Sequence, residues 1–424
     1  MTADTVDFTF DPFAPGPRET RPEVFAELRE RAPILHTASD LWVVSRFEDV
    51  RTVNATPELF SSRPNPYDGA GSPQSAAPAE AGPELIERFL AIAASMPVDL
   101  GELTSARSLV AADPPEHTRM RRIVSRGFTP GRIAQWSTRI EELVDDCLEG
   151  GHDLEGFDVV EELAIPLPVK MISDILGIGP AHYAQVKEWS DRFAGGVGDD
   201  RNTPEGQLAV LETLKDFSTF FAPLIEERRT DPRDDVISAM VRAVDDDTLS
   251  TAETLMMVII MMVAGNETST NLIGNTVVEL LANRDQLQRV IDQPALLENA
   301  VDEANRLTAP IQFTFREVRE DTELNGTALP KGAILALHIA AANRDPRQFD
   351  DPDRFLIDRP RTKSLAFGHG VHYCLGAHLA MQEVSAAVGR LLPQLPNLRL
   401  RDQPLEPNPS SLLNGWRNVV LARA

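Results

Sequence analysis

The sequence predicts a mainly α-helical fold with a small β region. Helical periodicity of apolar residues dominates from about residue 83 to residue 307. Strand-like runs are short and peripheral, at residues 41–45, 311–318, 334–339 and 418–422. Because the 424 residues contain neither an internal repeat nor a long linker, we expect one domain spanning residues 1–424.

Composition excludes several classes of protein. A content of 42% hydrophobic and 25% charged residues is typical of a globular chain. The net charge of −24 argues against nucleic acid or an anionic membrane as a partner, because both attract broad positive faces. Two cysteines, Cys147 and Cys374, exclude a disulfide framework and indicate a reducing compartment.

Targeting signals do not stand out. The segment 1–22 lacks the charged and apolar regions of a signal peptide. The longest apolar run, residues 255–264, is half the roughly 20 residues that span a bilayer. We therefore expect a cytoplasmic protein without a membrane anchor. The stretch 63–83, rich in Gly, Ala, Ser and Pro, predicts a mobile loop insert.

A long central helix is marked by its start. Ser250 and Glu253 form a capping box, in which each side chain bonds the other residue's backbone N–H. Because no proline follows until Pro294, the helix can run to about Asn283, roughly 50 Å at 1.5 Å per residue. A helix of this length crosses the domain and should be buried.

A glycine-punctuated loop, residues 367–376, carries a lone cysteine just before an apolar helix at 377–392. Glycine permits positive φ and close approach. A thiolate at a helix amino end is stabilised by the helix dipole, so Cys374 can ligate a metal. The alternatives are a buried structural cysteine or a zinc site built from His369, His372, Cys374 and His378.

Two further segments place polar groups in unusual settings. In residues 264–268 an apolar helix face carries a glycine, which costs about 1 kcal/mol in a helix, and then Glu267 and Thr268. Alone, this pattern would indicate a change from buried to exposed helix. In residues 113–122 a turn precedes a basic helix with His117 and Arg121 on one side. Arg119, Arg122 and Arg126 lie on the opposite side, and Arg119 and Arg122 are interpreted as surface charges.

Together with Glu303 and Arg306 at i and i+3, these motifs resemble those of the cytochrome P450 family, in the family's order. The resemblance runs from about residue 11 to the carboxyl end. It implies the P450 fold, with the long helix over a haem b (iron protoporphyrin IX) and the Cys374 loop beneath it. The residues that it assigns to haem binding are His117, Arg121, Ala264, Gly265, Arg316, Phe367, Gly368, His372 and Gly376, with Cys374 as the metal ligand.

The resemblance also implies roles for side chains near the haem. Glu267 and Thr268 would be the catalytic pair that delivers protons to dioxygen. Glu303 and Arg306 would form a structural lock with a third basic residue, which matches Arg354. The sequence departs from the family at Asn266, inside the oxygen-binding turn, and in the insert 63–83.

The implied activity is a haem-thiolate monooxygenase that inserts one atom of dioxygen into an apolar small molecule by hydroxylation or epoxidation. Since the chain lacks a Gly-x-Gly-x-x-Gly motif, electrons should come from a ferredoxin or flavodoxin with its NAD(P)H-dependent reductase. A basic patch would receive that acidic partner: Arg119, Arg122, Arg126, Arg359, Arg361 and Lys363. The alternatives are a peroxide-using or rearranging family member, or a non-catalytic haem- or zinc-binding protein.

The substrate pocket is predicted from four segments. They are residues 85–109, the helix stripe Met257, Ile260, Met261 and Ala264, the strand 310–314 and the turn 411–414. The stripe shares a helix face with Thr268 and would form an apolar, adaptable wall, although such a stripe is more often plain core. No substrate follows from these segments.

Overall fold

The computed structural model describes residues 8–14, 16, 18–63, 82–148, 154–195, 203–242, 248–360 and 363–424. Its helices are α1 Arg21–Arg31, α2 Phe47–Ala55, α3 Pro83–Ala94, α4 Leu100–Ser105, α5 Glu116–Val124, α6 Pro130–Leu148, α7 Pro166–Ile175, α8 Tyr183–Gly195, α9 Pro204–Thr230, α10 Val236–Val241, α11 Thr251–Ala282, α12 Arg284–Asp292, α13 Leu297–Thr308, α14 Ile339–Ala342 and α15 Ala377–Leu391. Its strands are β1 Ile34–His36, β2 Leu41–Val44, β3 Phe60–Ser61, β4 Thr314–Val318, β5 Thr322–Leu324, β6 Thr327–Leu329, β7 Ile334–Leu337, β8 Leu398–Leu400 and β9 Leu421–Arg423.

The predicted fold class, mainly α with a small β region, is confirmed. The four predicted strand runs coincide with β2, β4, β7 and β9 to within a few residues. The remaining strands have two or three residues each, too few for an alternating pattern to be readable in sequence. Apart from its two ends, the predicted mobile insert 63–83 lies outside the described residues.

The chain forms two compact units, each assembled from separated stretches. Unit 1 comprises residues 1–62, 136–167 and 267–424, and unit 2 comprises residues 63–135 and 168–266. Helices α6 and α11 each contribute residues to both units. That residues 1–424 act as a single domain stays a prediction.

Unit 1 is organised around a five-stranded sheet in the order β1-β2-β7-β4-β3. The β2–β7 pair is parallel and the other pairs are antiparallel. One face packs against α2, with Phe47, Val50 and Val53 buried beside Leu335 and Leu337 of β7. This core fixes the carboxyl end of α2 next to β4.

Unit 2 contains a helical hairpin of α8 and α9 held by aromatic rings. Trp189 packs edge-on against Phe217 at 5.4 Å between ring centroids, and Phe217 lies 4.4 Å from Phe221. Helix α3 packs on the same α9 through Phe89, Leu208 and Leu211. Aromatic pairs of this geometry stabilise beyond the area that they bury.

The capping box of α11 is confirmed. Glu253 N–H donates to Ser250 Oγ at 3.1 Å, and Ser250 N–H donates to Glu253 Oε2 at 2.8 Å. Arg119 donates to Glu253 and to the Thr248 carbonyl, so the interpretation of Arg119 as a solvated surface charge is wrong. Arg119 instead ties α5 to the start of α11. The helix ends at Ala282, one residue before the predicted limit.

The Glu303–Arg306 lock is present, with a different third member. Arg306 donates to both oxygens of Glu303, at 2.7 and 2.8 Å, and both side chains are buried. Arg359, not Arg354, supplies the third basic group, with its Nε 2.8 Å from Glu303 Oε1. The Arg354 side chain is 68% exposed and faces Asp351, while the Arg354 carbonyl accepts from Arg306. The assignment of Arg354 is therefore wrong.

This correction predicts a difference in stability between two arginines of one segment. Arg359→Met should lower the free energy of unfolding by about 2–3 kcal/mol, because the buried Glu303 carboxylate loses a charged hydrogen bond. The matched control Arg354→Met should change it by about 0.5 kcal/mol or less, as expected for an exposed pair. Urea unfolding followed by circular dichroism measures both. Equal losses would return Arg354 to the lock.

Candidate active site

The cysteine loop has the backbone that its glycines predict. Gly368 and Gly370 adopt φ of +75° and +69°, and Cys374 N–H donates to the Phe367 carbonyl at 2.8 Å. Gly376 is the N-cap of α15, so Cys374 lies two residues before the cap. Cys374 is half-buried. A thiolate there is stabilised by the amino end of α15 and can still be reached by a ligand.

Helix α2 supports this loop from behind. A Cβ added to Gly370 would lie 2.4 Å from the Asn54 carbonyl oxygen, so the loop backbone packs directly on the end of α2. The Asn54 side chain accepts a hydrogen bond from Arg316 of β4 at 2.8 Å. Close by in sequence, Ser62 Oγ lies 3.0 Å from His372 Nε2. Two residues predicted to bind the haem, Arg316 and His372, are thus each hydrogen-bonded to a side chain that the sequence motifs do not reveal, Asn54 and Ser62.

The predicted oxygen-binding turn lies in α11, which is helical throughout. Most of its apolar residues are buried, whereas Ala264 is exposed and Gly265, Glu267 and Thr268 are half-buried. A Cβ added to Gly265 would meet no atom within 4 Å. The residues that the motif singles out are therefore accessible positions in a mostly buried helix.

Asn266, the departure from the family pattern, points elsewhere. It is buried, and its Nδ2 donates to Ser190 Oγ of α8 at 3.0 Å. Asn266 therefore anchors α11 to the α8–α9 hairpin within unit 2, whereas the next two residues, Glu267 and Thr268, are half-buried.

A buried acid next to the predicted oxygen-binding turn is another residue that the sequence motifs do not reveal. Glu383 of α15 is hydrogen-bonded to Ser269, which follows Thr268. Burial raises the pKa of Glu383 to about 8, while the bond from Ser269 opposes the rise, so the carboxyl is mostly protonated at neutral pH. Its signal in sequence is one acid on the apolar face of the helix after the cysteine loop.

In unit 2, His117 and Arg121 lie close together on α5. His117 is buried, and burial together with the Arg121 charge lowers its pKa to about 4. A neutral imidazole keeps one N–H for a hydrogen bond. Arg121 is half-buried. The pair offers a donor and a cation from one helix face, which suits a carboxylate ligand.

The predicted site residues are divided between the units. Unit 1 holds Glu267, Thr268, Arg316, Phe367, Gly368, His372, Cys374 and Gly376, and unit 2 holds His117, Arg121, Ala264 and Gly265. Two of the predicted pocket segments meet in unit 1, where Ile311 and Leu413 form an antiparallel bridge. Of the helix stripe, Met257 and Met261 are buried, and Ile260 is half-buried.

The residues present fit a haem better than a zinc ion. A Cβ on Gly376, like one on Gly265, would meet no atom within 4 Å, so a flat group can approach the backbone at both places. Among the described residues, no three His, Cys, Asp or Glu side chains lie close enough to hold a metal ion together. Within the described residues, the geometry therefore does not support the alternative of a zinc site built from His369, His372, Cys374 and His378. A single thiolate is instead the protein ligand that a haem-thiolate iron takes.

By length and composition, α11 could cross a membrane. Within its most apolar window, however, 61% of the residues are buried inside the protein, as in the core helix of a globular domain.

Comparison with known proteins gives a consistent result. A family model, Cytochrome P450, matches residues 204–415. Cytochrome P450 107B1 of Saccharopolyspora erythraea is 36% identical over 91% of this chain and 87% of its own. The 6-deoxyerythronolide B hydroxylase of the same organism is 33% identical over 89% of each chain.

Solved structures agree with these relatives. The crystal structure of CYP109E1 from Bacillus megaterium in complex with testosterone superimposes with a TM-score of 0.79 at 29% identity, covering 98% of this chain and 99% of that one. With the cysteine loop, the accessible turn of α11 and the Glu303 lock in the described geometry, the chain belongs to the cytochrome P450 family of monooxygenases.

Proposed function

We propose that this P450 binds haem b through Cys374 and inserts one oxygen atom from dioxygen into an apolar small molecule, by hydroxylation or epoxidation. The observation that carries the proposal is the Cys374 loop, where positive-φ glycines and the start of α15 present one half-buried thiol. When bound, the haem supplies dioxygen binding and activation, which a thiolate ligand promotes.

The propionates of the haem would be held by four side chains, His117, Arg121, Arg316 and His372. Arg316 is 7% exposed and His117 is 2% exposed, so a carboxylate in contact with them is removed from water and needs charged or donating partners. Phe367, Gly368 and Gly376 would lie against the ring on the thiolate side. Ala264 and Gly265 would do so on the other side, where a larger side chain would fill the space.

Glu267 and Thr268 would move protons. Their half-buried positions on α11 let them contact water and a small ligand, while the Glu267 carbonyl is bound by Asn271 Nδ2 at 2.7 Å. The Thr268 hydroxyl would hold a water in place, and the Glu267 carboxyl would exchange protons with it. This pair favours dioxygen over the alternative of a peroxide-using or rearranging family member, which does not need proton delivery.

The electron donor would be a ferredoxin or flavodoxin with an NAD(P)H-dependent reductase, and the protein would work in the cytoplasm. Two members of the predicted basic patch are committed elsewhere: Arg119 to Glu253 and Arg359 to Glu303. Arg361 lies outside the described residues. Arg122 and Arg126 of unit 2 are exposed and would form a smaller patch than the sequence suggests, and Lys363 of unit 1 is exposed as well.

Relatives indicate the kind of substrate. One is named for hydroxylating 6-deoxyerythronolide B, and the CYP109E1 structure contains testosterone. Both ligands are largely apolar polycyclic or macrocyclic molecules. Of the helix stripe in this chain, Ile260 and Ala264 are accessible and would supply an apolar wall for such a substrate, with the buried Met257 and Met261 behind them as adaptable core.

The haem ligand is tested by Cys374→Ser. The variant should lose the strongly red-shifted Soret band of the reduced carbon monoxide complex, together with activity, because a serine hydroxyl stays protonated and binds iron poorly. The control is Cys147→Ser, at a half-buried position in α6, which should keep both. A normal spectrum from Cys374→Ser would reassign the ligand to Cys147.

The proton pair is tested by Thr268→Ala. Oxidation of NAD(P)H should continue, while the amount of product per electron pair falls and hydrogen peroxide rises. The reason is that the water that receives the proton is no longer held in place. Supplied peroxide should partly restore product. Glu267→Gln should instead slow the whole cycle by about 10²-fold. Thr270→Ala, which removes a hydroxyl bound to the Ala164 carbonyl, is the matched control and should stay coupled. Full coupling in Thr268→Ala would contradict the assignment.

The docking surface is tested by Arg122→Glu with Arg126→Glu. Reduction by an acidic ferredoxin should slow by about tenfold and lose most of its salt dependence, whereas substrate affinity should stay the same. Arg399→Glu with Arg423→Glu makes the same change of charge on β8 and β9 and should leave reduction unchanged. Stopped-flow reduction at several salt concentrations measures both. Identical reduction kinetics in the two double variants would exclude Arg122 and Arg126 from the docking surface of the ferredoxin.

A further inference from the structure

Asn54 makes a contact that neither the motifs nor the family resemblance explains. It is the next-to-last residue of α2 and is buried, with 5% of its surface exposed. Its Oδ1 accepts from Arg316 at 2.8 Å, and a second guanidinium nitrogen of Arg316 donates to the Phe315 carbonyl at 2.6 Å. Two fixed acceptors set the plane of the guanidinium, since its donors form a rigid fork.

The same residue touches the cysteine loop. The Asn54 carbonyl lies so close to Gly370 that a side chain there would need to displace the end of α2. Asn54 therefore contacts Arg316 through its side chain and the cysteine loop through its backbone carbonyl. One buried residue thus connects the Arg316 guanidinium to the loop that contains Cys374.

The chemistry of the acceptor matters as much as its position. Arg306 and Arg228 are also buried, but their acceptors are the carboxylates of Glu303 and Asp235, at 2.7 and 2.6 Å. An ionised carboxylate orients an arginine and also offsets its charge. An amide oxygen orients it without adding a negative charge that would compete with an anionic ligand.

We propose that Asn54 is a positioning residue for the haem, which aims the Arg316 guanidinium at a propionate through a neutral hydrogen bond. The inference rests on the propionate role proposed above for Arg316. The competing explanation is a structural hydrogen bond, called a staple below, that only joins α2 to β4. Any acceptor of the same size would serve as a staple, whereas the positioning role requires the acceptor to be uncharged.

Asn54→Asp separates the two explanations, because it keeps the size and the acceptor oxygen but adds a charge next to Arg316. Transfer of haem from the ferric protein to apomyoglobin should become about tenfold faster, since the new carboxylate competes with the propionate for a charged hydrogen bond. The reduction potential should fall, because added negative charge favours the ferric state. Thermal unfolding of the apoprotein should stay at or above that of the parent. If Asn54 only joined α2 to β4, the added charge could still lower the potential, but haem transfer would keep its parental rate, and a parental rate of transfer would overturn the proposal.

Two more variants complete the test. Asn54→Ala removes the acceptor without adding charge, so haem transfer should accelerate while the potential falls less than in Asn54→Asp. Asn397→Asp, at an exposed position of the same unit, adds the same charge and should change neither property. If Asn54→Asp gives a folded apoprotein that binds no haem, that outcome also supports positioning. If Asn397→Asp matches Asn54→Asp, the effect is general and the proposal fails.

Arg316→Met distinguishes failure of this inference from failure of the proposed function. An unchanged rate of haem transfer in Arg316→Met would remove Arg316 from the propionate site, and the role of Asn54 would fail with it. Faster transfer in Arg316→Met with a parental rate in Asn54→Asp would keep the proposed function and reject Asn54 alone.

Discussion

The cysteine loop depends on a carboxylate that is distant in sequence, that of Glu303. This buried group accepts two bonds from Arg306 and one from Arg359, and Arg306 also donates to the Asn343 carbonyl. The Asn343 side chain in turn accepts from Leu365 N–H at 2.7 Å, two residues before the loop begins. A chain of hydrogen bonds thus leads from the interior of α13 to the loop. The position of the thiol is set by this lock and not by the loop sequence alone.

Features that depend on nearby residues could be predicted from the sequence. Ser250 and Glu253 cap α11 because both partners lie within one turn, and Gly368 and Gly370 have positive φ because the loop reverses direction there. The order of the motifs likewise indicates the P450 fold, since each motif belongs to one element. Short strands such as β3 form only when a longer partner is already in place, so the sequence pattern does not reveal them.

Choices among similar side chains could not be predicted. Arg354 and Arg359 are five positions apart in one irregular segment, and only the folded backbone decides that Arg359 turns inward while Arg354 faces solvent. Asn54 and Arg316 are separated by 262 residues, so no spacing rule connects them. Partner selection of this kind is a tertiary property. It accounts for the one misassigned member of the lock and for the missed supports of the site.

The net charge of −24 and a predicted anionic cofactor are compatible, because the two act over different distances. At physiological salt the Debye length is about 8 Å, so the field of distant surface acids is largely screened at any one site. A buried donor in contact with a carboxylate is screened much less. Binding of an anionic cofactor would therefore depend on which arginines are not already paired with carboxylates of the protein. Glu253 and Glu303 engage Arg119 and Arg359 for structure, whereas Arg316 is oriented by an amide. The overall charge thus limits partners that need a broad positive face, but it does not limit a ligand enclosed by a few oriented donors.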